Sequence, residues 1–400
     1  MAIQVACAAP SPLSALRDYL AMKRSPSALA ELDGLRAIAI LLVVARHAAQ
    51  PFYAETQTIV PIAGWDIAIP MLNGWMGVEL FFVLSGFLIA KHLLGLRQAP
   101  ERVALGPYLA KRALRIVPAY FAVLLIVAAG LVPLYEVEQQ RLTGRVVYHL
   151  LFLQDYLPAD IVVVFWSLGV EEKFYLLAPL ILGAALWLRD PRAQLAFVSL
   201  LVLLGPLARF TSDVVHPEVE DYGPFFLMFR APFHACIDPL MMGVLCALLY
   251  HYRARFSWVQ QPAVAKFVLW FGVLLLGWFL LSHRLMAEIG WFDKVPQPLL
   301  IALAAGAVLY GVLMWGGPLP LLRGLALLVL ARLSYSLYLV HMPLIPGVIW
   351  MVEHPLGLAG ASLGLRFAVF LPLFAAASML AALVLHYVVE KPFLLLKDRF

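Results

Sequence analysis

Arg36 and His47 are separated by eleven positions in the run from Leu32-Asp33-Gly34-Leu35-Arg36 to Arg46-His47, which is otherwise apolar. An α-helix turns ~100° per residue, so eleven steps make about three turns and leave both side chains on one face, ~16 Å apart along the axis. A guanidinium then stands at the helix entrance and an imidazole deep in apolar surroundings, where ionisable groups are costly and mark a pathway or a reacting centre. An imidazole titrates near neutrality, which suits it to general-base catalysis. Further acid and base groups are expected at a similar depth. Glu79 lies about one and a half turns into the next apolar run. Glu171 and Glu172 head a later one, and His341 falls in the outer half of another. A carboxylate beside His47 would fix its tautomer and favour the imidazolium. Adjacent residues cannot share a helix face, so one of Glu171 and Glu172 is expected in the pocket and the other at a helix interface. Plainer roles stand beside these: a packing hydrogen-bonder for a membrane histidine, a tie between helices for Glu79, a cap on a broken helix for His341 before Met342-Pro343.

A second cluster, Lys111, Arg112 and Arg115, precedes Ile116-Val117-Pro118. Residues three apart share a helix face, so Arg112 and Arg115 present neighbouring guanidinium forks, which suit phosphates. The simpler alternative is a topological anchor at the cytoplasmic surface. With Arg36 at the same membrane side, the geometry fits a phosphorylated carrier bound by arginines, with a thin uncharged arm reaching ~16 Å to His47. Coenzyme A has that shape. A base near its thioester would deprotonate an acceptor hydroxyl, and the helices would align donor and acceptor.

The elements that must position these groups are membrane helices. Of 400 residues, 63% are hydrophobic and only 13% charged, about half the charged share of a soluble domain. We expect an all-α polytopic bundle of about ten transmembrane helices near 35–53, 74–95, 113–133, 171–188, 194–210, 235–252, 264–283, 297–315, 327–350 and 366–389, each long enough to span. The interruption at 134–170 holds apolar pieces too short to cross, and a re-entrant segment is expected near 146–168. With the N-terminus inside, Lys and Arg crowd the inner loops, whereas the outer segments hold only Arg141, Arg145, Arg209, Arg230, Arg284, Lys294 and Arg366 among many acids. That asymmetry places both termini in the cytoplasm. The net charge of +5 follows this loop distribution and does not imply nucleic-acid binding. Cys7, Cys236 and Cys246 fit neither a disulfide framework nor a metal motif. No inverted repeat supports a transporter. Residues 1–30 show no cleavable leader and are expected to be a cytoplasmic segment, either amphipathic or disordered, ahead of a membrane domain at 31–396.

Seven motifs stand in order along this domain: Asp33-Gly34-Leu35-Arg36 with His47; Gly77-Val78-Glu79-Leu80-Phe81-Phe82-Val83-Leu84-Ser85-Gly86-Phe87-Leu88; Arg112 to Pro118; Trp166-Ser167-Leu168 through Tyr175; Asp238 to Gly243; Ser334-Tyr335 through His341-Met342-Pro343; and Val389-Glu390-Lys391-Pro392. In these the chain resembles the acyltransferase-3 family of integral membrane O-acyltransferases. The resemblance implies transfer of an acyl group, most often acetyl, from cytoplasmic acyl-CoA to a hydroxyl of a glycan or another hydroxylated acceptor, in a bacterial cytoplasmic (inner) membrane. By that resemblance His47 is the catalytic base, and Arg36, Arg112 and Arg115 serve acyl-CoA, with Lys111 and Ser85 in the same motifs as further donor-site candidates. Glu79, Glu171, Glu172 and His341 are the remaining catalytic candidates. No metal and no permanently bound cofactor is implied, acyl-CoA being a co-substrate. The resemblance also implies that the esterase-like extension of some members is absent. Cys236-Ile237 departs from the family pattern before Asp238. Phe81, Phe82 and Phe87 are expected to wall a small acyl pocket. The competing readings are a permease or exporter of a lipid-linked glycan, and an assembly protein without catalysis. Acceptor, acyl length and oligomeric state are left open.

Overall fold

The computed structural model describes residues 29–97, 105–157, 160–282, 289–315 and 319–397. The expected N-terminal segment 1–30 lies, but for its last two residues, outside them. The described chain is almost entirely helical. In order come α1 (Ala30–Thr56), a two-stranded antiparallel hairpin of β1 (Pro61–Ile62) and β2 (Trp65–Asp66), then α2 (Gly77–Arg97) and α3 (Leu105–Ala128). They are followed by α4 (Leu142–Leu150), α5 (Trp166–Trp187), α6 (Pro191–Val202), α7 (Leu204–Val215) and a π-helical turn at Phe226–Arg230. The order ends with α8 (Ile237–His251), α9 (Pro262–Leu281), α10 (Pro296–Met314), α11 (Leu325–Glu353), α12 (Leu363–Leu385), a second π turn at His386–Glu390 and α13 (Lys391–Lys397).

A helix falls at each of the ten expected intervals, the fifth broken at Leu203 into α6 and α7. Six helical stretches among the described residues are long and apolar enough to cross a membrane: Ile69–Gly95, Pro191–Val215, Pro262–Leu281, Pro296–Met314, Leu325–Glu353 and Leu363–Leu396. The chain is a multi-pass membrane protein. Its outward faces are apolar: on α9, Phe267, Trp270, Phe271, Leu274 and Trp278 are exposed at helical spacing, a stripe that has no place in water and suits lipid.

Local sequence sets the element ends. Asp190 accepts from the Arg192 N–H and Pro191 opens α6, a favourable N-cap and first-turn pair. Ser362 caps α12 through the Leu365 N–H. The hairpin, which the sequence analysis did not anticipate, is organised by Asp66, whose carboxylate accepts from the N–H groups of Ile59 (2.6 Å), Val60 (3.1 Å) and Ala68 (2.9 Å). α2 and α8 cross where Gly86 meets Gly243. A Cβ on Gly243 would stand 2.6 Å from the Phe87 nitrogen, so the two backbones touch, as small residues permit in membrane bundles.

Segments 142–157 and 160–165 lie against the bundle. The hydroxyls of Tyr120, Tyr135 and Tyr338 donate to the carbonyls of His149 (3.0 Å), Ile161 (2.9 Å) and Val164 (2.6 Å), and Gln154 donates to Phe165 O (2.9 Å). These bonds hold carbonyls in the last turn of α4, in the connection after it and in the short turn Val163–Phe165 that leads into α5. Three residues counted as outer-loop charges are instead drawn inside in ion pairs: Arg209 with Asp238, Arg230 with Glu79, and Lys294 with Asp213. The reason is distance in sequence. Each partner lies on another element, and loop counting sees only position.

Candidate active site

Five helices, α1, α2, α3, α5 and α11, enclose a cavity with about 810 Å³ of empty space including its open mouth. Arg36, Ser85, Arg112, Arg115, Glu171 and Tyr175 supply its polar wall, and Phe81, Phe82, Leu88, Ile89 and Leu168 its apolar one. At one end stand Ser167 and Tyr338, whose oxygens are 2.6 Å apart. Of the ten residues singled out from sequence, Arg36, Ser85, Arg112, Arg115 and Glu171 line this cavity. His47, Glu79, Lys111, Glu172 and His341 do not. Phe81 and Phe82 line it, whereas Phe87 is fully buried and edge-on to Tyr250.

The arginines are short of anionic partners. Arg36, Arg112 and Arg115 form no ion pair within 4 Å among the described residues. The Nε of Arg112 is buried without a hydrogen bond, its guanidinium resting against Tyr108 (5.8 Å) and Tyr175 (5.9 Å). Glu171 does not bridge them. Its carboxylate accepts from Ser85 Oγ (2.5 Å) and from the Tyr175 hydroxyl (3.3 Å). Three unpaired guanidinium groups around one space form an anion site in waiting, since buried charge without a partner is costly. Glu172 faces away from the cavity with Oε1 buried and unpartnered, so the two adjacent carboxylates part as the helix geometry requires.

His47 and His341 meet beyond the Tyr338 end. The Tyr338 and His341 rings are 6.0 Å apart, and the His341 and His47 rings 5.1 Å. Their hydrogen bonds determine the tautomers. His341 Nδ1 lies 3.0 Å from Leu337 O and 2.9 Å from Tyr338 O. Carbonyls only accept, so Nδ1 carries the proton and Nε2 a lone pair. His47 Nδ1 is 2.8 Å from Val43 O and 3.2 Å from His341 Nε2. Both are acceptors, so this Nδ1 also carries its proton, which leaves His47 Nε2 unprotonated. That nitrogen is the one able to act as a base.

Glu79 does not join the histidine pair. Its carboxylate is held by Arg230, from the π turn 151 positions along the chain. Sequence reasoning had proposed Glu79 as a partner of His47 from depth alone, and depth does not specify which way a side chain turns. It also passed over Arg230, Tyr175, Ser167 and Tyr338 as site residues. The last three lie inside the quoted motifs. Arg230 had one signal, a lone cation inside the apolar run Phe226-Leu-Met-Phe-Arg230-Ala. Asp238 receives both Nη atoms of Arg209 (3.0 and 2.9 Å), fully buried. This bidentate pair is a structural anchor between α7 and α8.

A family model described as an acyltransferase domain matches residues 29–388. The peptidoglycan O-acetyltransferase OatA of Listeria monocytogenes is 28% identical over 189 residues, 44% of this chain and 27% of that protein. The O-acetyltransferase OatA of Staphylococcus aureus is 24% identical over 354 residues, 82% of this chain and 53% of that protein. The ORF330 protein of Acidianus two-tailed virus is 28% identical over 314 residues, 76% of this chain and 82% of that one. The chain thus spans about half the length of the OatA proteins it matches, or less. No solved structure matches it.

Proposed function

The chain belongs to the acyltransferase family whose model covers residues 29–388, and from that premise we propose that it is a membrane O-acetyltransferase with a glycan acceptor. The donor is acyl-CoA, most simply acetyl-CoA, entering from the cytoplasm. Arg36, Arg112 and Arg115 hold its phosphates, with Lys111 at the mouth. The pantetheine arm runs between Phe81, Phe82 and Leu88 past Ser85 and Glu171, and its thioester comes to rest below Tyr338 and the histidine pair. His47 Nε2 takes the proton from an acceptor hydroxyl as that oxygen attacks the thioester carbonyl. The carbon–sulfur bond breaks, and the departing thiolate receives the proton from His47. His341 Nε2 faces the imidazolium that forms between the two events and stabilises its charge.

The observation that carries this reading is the cavity: it is lined by three arginines without ion-pair partners among the described residues and by Tyr338, whose ring lies 6.0 Å from that of His341. The relatives named for O-acetyl transfer, one of them to peptidoglycan, support an envelope glycan as acceptor. We read all ten helical intervals as spans and 146–168 as re-entrant, in the bacterial cytoplasmic membrane. The bond from the Tyr135 hydroxyl to the Ile161 carbonyl supports a non-helical backbone satisfied by neighbouring protein there.

The test uses purified protein in lipid nanodiscs, with thiol release from acetyl-CoA and the acetyl mass on the glycan as readouts. His47→Ala should lower transfer by roughly 10²- to 10⁴-fold, the usual contribution of a general base, while acetyl-CoA still binds. Arg115→Gln should show the converse, weaker acetyl-CoA binding. Undiminished transfer by His47→Ala would overturn the base assignment.

A further inference from the structure

A second polar site lies on the far side of Phe82, and nothing in the donor chemistry uses it. Glu79 is 3% exposed. Arg230 holds one of its carboxylate oxygens, and the other, Oε2, is buried without a hydrogen-bond partner. The Arg230 guanidinium is itself fixed against two indoles, 4.7 Å from the centre of Trp75 and 5.5 Å from that of Trp166. From this buried core a ladder of rings climbs to the surface. Trp166 stands edge-on to Phe226 at 5.6 Å, Phe226 stacks on Tyr222 at 6.1 Å, and Tyr222 is 41% exposed. Phe226 and Arg230 are the two ends of the π turn, a distortion found most often at functional sites.

The same ladder borders the reacting groups on two sides. Tyr222 interacts with the side chain of Arg46, the chain neighbour of His47. Trp166 precedes Ser167, whose hydroxyl meets Tyr338 at the end of the donor cavity. A ligand on these rings would therefore lie across Phe82 from the arginine cavity.

We propose that Glu79, Arg230, Trp75 and Tyr222 form the acceptor subsite and that its ligand is a carbohydrate, an assignment that rests on the acyl-transfer reading above. A sugar has the two properties the site asks for. Its ring faces are apolar and lie flat on aromatic side chains, whose own bodies are apolar with polar edges. Its hydroxyls donate hydrogen bonds, and one of them pairs the orphaned Glu79 Oε2, relieving the cost of a buried unpaired acceptor. Arg230 keeps that carboxylate aimed. Glu79 is thus a positioning residue: it holds a hydroxyl that is not acylated so that a neighbouring one reaches His47 Nε2.

The experiment uses the full-length protein in nanodiscs, with a soluble β-1,4-linked N-acetylglucosamine pentamer as acceptor probe and acetyl-CoA as donor. Pentamer binding is measured by calorimetry, and the KM of each substrate by thiol release. Glu79→Gln and Arg230→Lys should weaken pentamer binding roughly tenfold or more, the effect of losing a hydrogen bond to a charged group. Tyr222, 41% exposed, gives a second line. Tyr222→Ala should weaken the pentamer about two- to tenfold through lost stacking, and Tyr222→Phe should restore most of it. The acetyl-CoA KM should stay within about twofold in all four, and a thermal midpoint in the nanodisc equal to that of the wild type excludes a general loss of folding. Unchanged pentamer affinity in the variants, or a wild-type protein that turns over acetyl-CoA yet neither binds nor acetylates the pentamer, would overturn the assignment. Absence of acetyl-CoA turnover in the wild type would instead overturn the acyl-transfer reading, while the calorimetry still reports on the subsite.

Discussion

His341 shows how one side chain can govern another. Two backbone carbonyls hold its Nδ1 proton, so its Nε2 lone pair is available to the Nδ1–H of His47 at 3.2 Å. When His47 takes a proton, that lone pair faces a full imidazolium in a setting where few other groups can stabilise it. His341→Phe keeps an aromatic ring but removes the acceptor. It should cost up to ~100-fold in kcat, the low end of what a general base contributes, with the acetyl-CoA KM unchanged because His341 lies outside the arginine cavity. His341→Asn returns an acceptor oxygen and should recover part of the loss. Equal kcat in His341→Phe and the wild type would show that Val43 O alone orients His47. The sequence made this pair legible, since both residues could be assigned to the same depth from helix rise and loop charge. The direction each ring turns was not legible. That depends on the Leu337 and Tyr338 carbonyls one turn back on the same helix, which accept from the ring as well as taking part in the helix. For Glu79 the same depth argument pointed to His47, and a cation 151 residues away proved to be its partner.

At the scale of elements, α2 carries Glu79, Phe82 and Ser85 to three different surroundings, so its placement decides the whole site. Gly86 sets that placement. A Cβ there would fall on the carbonyl of Leu240 and within 3.2 Å of the Gly243 Cα. Neither atom is the end of a flexible side chain, and the helices would have to separate. Gly86→Val should therefore cost about 1–3 kcal/mol through overpacking, seen as a lower thermal midpoint in detergent, together with lost transfer as Ser85 moves from Glu171. Gly95→Ala is the control: nothing lies within 4 Å of its Cβ position, and alanine favours the helix by about 1 kcal/mol over glycine. A midpoint for Gly86→Val no lower than that of the control would show that the crossing is looser than its geometry indicates. The ten helical intervals were legible because apolar length is written along the chain. The break at Leu203, the two π turns and the Asp66 hairpin were not. Each depends on a hydrogen bond or packing contact that leaves no period in the sequence.

At the scale of the whole molecule, the mechanism requires a direction. A charged nucleotide cannot cross the bilayer, so the proposed acyl-CoA donor requires an arginine cavity open to the cytoplasm, and the proposed carbohydrate subsite opens to the other side if the glycan is extracytoplasmic. The loops carry the information that would orient the bundle. Arg253 and Arg255, with Lys266 on the next helix, flank the turn Ser257–Gln260, whereas Glu218, Glu220 and Asp221 lie in the connection that leads to Tyr222. Basic residues are retained on the cytoplasmic side. Ser257 and Glu218 are both exposed, and the native Cys236 and Cys246 are buried. With Cys7 replaced by serine, a membrane-impermeant thiol reagent should label Glu218→Cys in intact cells and Ser257→Cys only after the membrane is opened. The opposite pattern would place Arg36, Arg112 and Arg115 at the outer surface. It would refute cytoplasmic acyl-CoA as the donor even if His47 proved indispensable, because no charged donor could then reach the arginines from the compartment that holds it.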